Sequence, residues 1–138
     1  MTEGYFAAEE AIASRIAENV PELKSAVGYR QPRHWSAAQR RPFVAVILEE
    51  PEPAGRNGNR TLIKQRWRIT LVVDMINEHS GANARAEAGP ILTKIISALA
   101  GWTPGQDMAP MQPSSGYVGV YENDCASFSL VFTTGLII

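Results

Sequence analysis

Few side chains in this chain could take part in covalent chemistry. There is one cysteine, Cys125, and there are two histidines, His34 and His79. A thiolate beside an imidazole can act as a nucleophile, but a small buried thiol in a strand is far commoner, and we favour that interpretation. The sequence also lacks a Gly-rich phosphate loop and a Gly-x-Ser-x-Gly elbow. We therefore predict no catalytic residue, no enzymatic activity and no cofactor.

Three polar residues near position 75 could in principle approach a divalent cation. They are Asp74, Glu78 and His79, which offer carboxylate and imidazole ligands. Their spacing matches no established metal-binding pattern, and polar residues that follow a strand usually form a loop. We predict no metal site.

A basic stretch with aromatic residues is the next candidate for chemistry. Residues 28–41 contain four arginines, together with Tyr29 and Trp35. Cations interleaved with aromatics can bind single-stranded nucleic acid, but the pI of 6.1 argues against a dedicated nucleic-acid protein. Protein–protein contact is the favoured alternative, because arginine, tryptophan and methionine are enriched at interfaces. Met108 and Met111 fit that interpretation, and a plain solvated loop also stays open.

The charges of the chain are unevenly distributed. The formal net charge is -1, yet ten basic and only three acidic residues lie between Lys24 and Val73, which gives that segment +7. The remainder carries three basic and eleven acidic residues, a net −8. Such a division favours packing against a partner of opposite charge. Scattered solubilising charge is the alternative.

Length and composition indicate one soluble domain. The chain has 138 residues, 45% hydrophobic and 20% charged, so we predict a single domain over residues 1–138. A single cysteine forms no intrachain disulfide, which fits a reducing compartment. No apolar run is long enough for a bilayer and the N-terminus lacks a signal pattern, so we expect assembly in the cytoplasm and no membrane partner.

The segment that must position the basic residues is 61–75, which we interpret as one long strand. Alternate residues from Ile63 to Met75, with Trp67 at the centre, are mostly apolar and suit a core. The other face presents Lys64, Arg66 and Arg68. Fifteen residues at about 3.3 Å each span about 50 Å, more than the diameter of a compact domain of this size, so the strand bends or projects.

The remaining pattern predicts two helices and three more strands. Helices are expected over 3–20, with Thr2 as N-cap, and over about 84–101, beginning near Pro90 and closed by Gly101. Strands are expected at 42–48, 117–121 and 126–134, and loops at 28–41, 49–60 and 103–116. Asn57-Gly58 indicates a type I′ hairpin turn. The order predicts an α+β fold, an antiparallel four-stranded sheet with two helices packed on one face.

Several short strings resemble the tail terminator (tail completion) proteins of Mu-like phages and prophages, related in fold to the lambda-type terminator. They are Val-Pro-Glu-Leu-Lys at 20–24, Arg-Pro-Phe-Val-Ala-Val at 41–46, the Trp67-centred strand, Ala-Leu-Ala-Gly-Trp-Thr-Pro at 98–104, and Phe-Ser-Leu-Val-Phe-Thr-Thr at 128–134. The likeness covers most of the chain. The basic loop 28–41 is longer than expected for the family.

The resemblance implies a structural virion protein. Such a protein forms a hexameric ring on the tail tube, stops tube polymerisation, and presents a joining surface to the head connector or stopper, and to the sheath protein in a contractile tail. DNA passes through the lumen of the ring without specific binding. Another neck component such as a stopper, or a small nucleic-acid-binding module, are the alternatives.

The resemblance supplies no individual functional residue. We take the partner-binding residues from the basic pattern, and they comprise Arg30, Arg33, Arg40, Arg41, Arg56, Arg60, Lys64, Arg66 and Arg68.

Overall fold

A computed structural model describes residues 6–29, 41–49, 52–75, 81–122 and 124–137. In chain order the elements are α1 (Ala7–Asn19), β1 (Ser25–Tyr29), β2 (Phe43–Leu48), β3 (Glu52–Asn57), β4 (Arg60–Asp74), α2 (Ala82–Leu99), β5 (Gln112–Tyr121) and β6 (Cys125–Ile137). The predicted α+β class is confirmed. Thr2, predicted to cap the first helix, lies outside the described residues.

The sheet is larger than predicted, and it is mixed. Its strand order is β1-β2-β4-β6-β5, with β3 also paired to β4. β1 runs parallel to β2, whereas every other pair is antiparallel. The predicted four-stranded antiparallel sheet is therefore wrong in strand number and in direction at one edge. β2 pairs antiparallel with β4, from Phe43↔Val72 to Leu48↔Trp67.

The two missed strands are short and carry weak β signals. β1 has the sequence Ser-Ala-Val-Gly-Tyr, too brief to show an alternating pattern, and it is fixed by β2, which is distant in sequence. β3 contains Pro53 and Gly55, residues that are depleted in strands. Proline is tolerated there because β3 lies at an edge, and the register shifts between Pro53 and Gly55.

Both helices pack on one face of the sheet, as predicted. Trp67, Ile69 and Leu71 alternate along β4 and are fully buried beneath α1 and α2. The indole Nε1–H of Trp67 donates to Gln65 Oε1 at 3.3 Å, which satisfies the indole N–H and provides a partner for the amide oxygen. The sequence therefore identified the core face of the long strand correctly.

The hairpin before β4 is confirmed, although its turn differs from the predicted one. Asn57 pairs with Arg60, so Gly58 and Asn59 are the two central residues. Gly58 has φ +66 whereas Asn59 is not among the residues with positive φ. Positive φ at the first central position alone is the requirement of a type II′ turn rather than type I′.

α2 starts earlier than predicted, because a proline inside the pattern did not end the helix. It begins at Ala82 and includes Pro90. Gly89 precedes this proline and has no Cβ to clash with the proline ring, so the helical conformation is accessible there. The loop predicted at 103–116 ends early, since β5 begins at Gln112. Met111 is fully buried in the core, so its interpretation as an interface residue is wrong.

Two glycines that flank α2 provide a matched test of packing against Tyr121. Gly81 and Gly101 have φ of +75 and +78, but a Cβ at Gly81 would lie 2.5 Å from the Tyr121 ring, whereas one at Gly101 would meet nothing within 4 Å. We expect Gly101→Ala to lower the free energy of unfolding by about 1–2 kcal/mol, the cost of the left-handed conformation. Gly81→Ala should lower it further, because the ring must also move. If urea unfolding gave the two variants equal losses of free energy, close packing of Gly81 against the Tyr121 ring would be contradicted.

Candidate assembly surface

The cations in the middle of β4 are held by a carboxylate of the same chain. Arg68 Nη2 lies 2.8 Å from Glu49 Oε2, and Arg66 Nε lies 4.0 Å from Glu49 Oε1. All three side chains are about 30% exposed, and Arg66 also donates to Ser114 Oγ at 3.3 Å. Glu49 offsets part of the positive charge that the sequence placed on this face.

The first residues of β4 and the turn before it form a basic end of the sheet. We use "basic end" for residues 55–64, 107–110 and 133–137. Arg56 and Lys64 are exposed. Arg60 makes one ion pair of 3.5 Å with Asp107, both side chains being more than half exposed. An exposed pair contributes little to stability, so these cations are accessible to a partner.

An apolar groove of about 500 Å³ opens in this basic end. Its lining includes the apolar residues Leu62, Met108, Pro110, Leu136 and Ile137, together with Lys64. The groove exists because β6 continues to Ile137 and residues 107–109 add to its edge, with Ala109 N–H donating to Gly135 O at 2.8 Å. A concave apolar surface beside accessible charge is typical of a binding site.

The opposite end of β4 forms an acidic end, for which we use residues 72–74 and 119–125. Arg41 lies between two carboxylates there, 3.0 Å from Asp74 Oδ1 and 3.3 Å from Asp124 Oδ2. Its side chain is 6% exposed while those of the two aspartates are 55% and 53% exposed. Burial disfavours the charge of Arg41, yet the hydrogen bonds with both aspartates raise its pKa. Arg41 thus ties the start of β2 to the joint between β4 and β6.

The structure separates the nine predicted partner-binding residues into three groups. Arg30, Arg33 and Arg40 lie outside the described residues. Arg41 is buried in contacts within the chain, which gives it a role in holding the fold. The other five lie along β3 and β4, and the three most exposed of them belong to the basic end, where they comprise Arg56, Arg60 and Lys64. Contact with a partner stays a prediction for all nine.

Cys125 has the properties of a buried structural thiol. It is 1% exposed, and burial raises its pKa to about 11, so little thiolate exists near neutral pH. Glu122, Asp124 and Cys125 place ligand atoms within 4.8 Å of one another. The protonated thiol and the Arg41 guanidinium on Asp124 both disfavour a cation there. Of the three polar residues considered near position 75, Asp74 binds Arg41, while Glu78 and His79 lie outside the described residues.

Comparison with known proteins identifies the family. The family model described as "Phage tail terminator protein" matches residues 1–138, the whole chain. The chain belongs to the phage tail terminator family. The sequence-based resemblance is therefore confirmed, and it supports a structural role for this chain in a phage-type tail.

A solved structure supports the same fold. A chain of the virion of a native gene transfer agent (GTA) particle superposes with a TM-score of 0.59 at 16% identity, with 98% of this chain and 100% of that chain covered. At this identity the likeness concerns the fold alone. A search of curated proteins returns no match. Among the described residues, no helix is long and apolar enough to span a membrane.

Several features of this tail terminator's surface were missed by sequence reasoning. The partners Glu49 and Asp107 are far in sequence from the arginines they bind, and the groove depends on three segments that meet only in the fold. Val120 and Tyr121 were predicted as strand residues, but their exposure of 49% and 42% was not foreseen. The one available signal was their position beside a short turn, where strand residues are often exposed.

We expect Arg41→Met to lower the free energy of unfolding by about 2 kcal/mol, because it removes hydrogen bonds between charged groups around a buried guanidinium. Arg60→Met is the matched control, since it removes an exposed ion pair and should cost less than about 0.5 kcal/mol. Urea unfolding followed by tryptophan fluorescence measures both. Similar small losses in the two variants would show that Arg41 does not stabilise the joint.

The raised pKa of Cys125 predicts a loss of stability in alkaline solution. The thiol has an ordinary pKa of 9.0 and a folded pKa of about 11, so the unfolded chain ionises first. The stabilising contribution is complete below pH 9 and is lost as the pH rises toward 11. Urea midpoints between pH 7 and pH 11 should fall more steeply for the wild type than for Cys125→Ala. Parallel curves would show that burial does not control this thiol.

Proposed function

We propose that the protein caps the tail tube as a closed hexameric ring, as the family resemblance implies, and so ends tail polymerisation. The observation that carries this proposal is the family match over the whole chain. The division of the sheet into a basic end and an acidic end supports it, because head-to-tail contacts around a ring join unlike surfaces.

The partners follow from that position in the particle. One face of the ring would meet the tail tube protein, and the other the head–tail connector or stopper, with the sheath protein as a further neighbour in a contractile tail. DNA would pass through the lumen without specific binding. The protein would assemble in the host cytoplasm and remain in the virion, at the neck of the tail. A role without catalysis agrees with the raised pKa of the Cys125 thiol.

The charge arrangement favours an assembly surface over a nucleic-acid site. Glu49 contacts both Arg66 and Arg68, and Arg41 is buried against two aspartates. Binding to nucleic acid depends on cations that replace the counterions condensed on its phosphates, and these three are already engaged by carboxylates. The remaining alternative is a stopper in the same neck. Deletion of the gene distinguishes a stopper from a terminator by the particles that then accumulate.

Tail tubes give the direct test of capping. Deletion of the gene should yield tubes of abnormal length if the protein is a terminator, and tails of normal length beside heads that fail to join if it is a stopper. Purified protein mixed with tubes should appear in negative stain as a ring on one tube end. Tubes of normal length without the protein would contradict the proposal.

Charge reversal tests the basic end in the same assay. We expect Arg60→Glu combined with Lys64→Glu to reduce the fraction of capped tubes at least tenfold, since two exposed cations at a contact become anions. Lys24→Glu, which reverses an exposed cation far from this end, should cap normally. Unfolding curves check that all variants fold. Normal capping by the double variant would exclude these residues from the contact.

A further inference from the structure

Among the residues that the structure describes, none fills the groove at the basic end. Its apolar lining includes Leu62, Met108 and Ile137, and the groove is open although Leu136 beneath it belongs to the core. Covering apolar surface of this kind is favourable by about 25 cal/mol per Å². A complement must be apolar, and it should carry negative charge to suit Arg60 and Lys64 of the basic end.

The acidic end presents such a complement. Val120 is 49% exposed and Tyr121 is 42% exposed, at the last positions of β5. Both are among the four most exposed large apolar side chains of the described residues. Asp74 and Asp124 belong to the same end and are each more than half exposed beside the Arg41 guanidinium, while the Tyr121 hydroxyl accepts a hydrogen bond from Arg85 Nη1 at 3.1 Å.

The two ends carry opposite net charge. Among side chains that the structure describes, the basic end has a net +2 and the acidic end, with its neighbours on α2 and β2, a net −2. The residues counted are Arg56, Arg60, Lys64 and Asp107 at the basic end, and Asp74, Glu87, Glu122, Asp124, Arg41 and Arg85 at the acidic end.

One chain cannot bring its own two ends together. Lys64 and Asp74 belong to the same continuous strand, and ten residues of strand separate them by about 33 Å. The long pairing with β6 keeps this segment extended. The acidic end that meets a given groove must therefore come from another molecule.

We propose that the groove of one copy receives Val120 of the next copy in the ring, with the basic and acidic ends facing each other. Tyr121 points to the opposite face of β5, where it contacts Arg85 and Phe128 of its own chain. The contact between copies rests on the proposed ring function and assigns its subunit interface. It is heterologous, so every copy uses one groove and one acidic end, and the arrangement closes without leaving either exposed.

Thiol crosslinking between full-length chains tests the contact. Ala109 lies in the groove and is exposed, as is Val120, whereas Cys125 is 1% exposed and stays unreactive. We expect Ala109→Cys mixed with Val120→Cys, treated with a short bifunctional maleimide, to give a crosslinked dimer. The double variant should give a ladder that ends at the ring size. Ser97→Cys, exposed on α2, replaces Val120→Cys in the control mixture and should give no dimer.

Each result has a distinct meaning when the same samples are imaged alone and with tail tubes. A dimer from positions 109 and 120 supports the interface. Rings that cap tubes without this crosslink overturn the interface and leave the proposed function intact. A dimer from Val120→Cys alone indicates a symmetric contact and also overturns it. Absence of rings and of capping in wild-type samples shows that the proposed function itself is wrong.

Discussion

The antiparallel ladder between β4 and β6 sets the geometry on which the rest of the molecule depends. Thirteen consecutive residue pairs, from Leu62↔Ile137 to Asp74↔Cys125, join the two strands. Backbone hydrogen bonds along such a ladder fix register, and a slip of one residue would move every side chain to the opposite face. Trp67 lies in the core, and Arg66 and Arg68 lie outside it, because of this one register.

The same ladder separates the ends of the sheet and gives them different neighbours. β2 accompanies β4 only from Trp67 to Val72, while β3 and residues 107–109 flank the earlier part of the ladder. The first part is consequently half-covered and holds the groove, whereas the last part is closed by Arg41 and its aspartates. The proposed ring would use this separation, because a head-to-tail contact joins two unlike ends of neighbouring copies.

Local patterns predicted the parts of the fold that depend on local energy. Alternation of apolar and polar residues identified both faces of β4, and apolar residues spaced by four identified α1. Gly58 indicated the hairpin, and Gly101 indicated the end of α2. The sequence could not reveal β1, since its five residues acquire strand structure only from β2. Ion pairs were equally hidden, because Arg41 and Asp124 lie 83 residues apart. The sequence therefore names the cations, but only the structure shows which of them form ion pairs with a carboxylate.

The parallel pairing of β1 with β2 constrains the connection between them. Because β1 and β2 run in the same direction, the end of β1 at Tyr29 and the start of β2 at Phe43 lie at opposite ends of the pair, and a crossover between parallel strands needs about a dozen residues or more. Because each doubling of a loop costs only about 0.6 kcal/mol, the connection can lengthen or change composition while the sheet is preserved. Related tails could diverge in specificity at this position without refolding the domain that carries it.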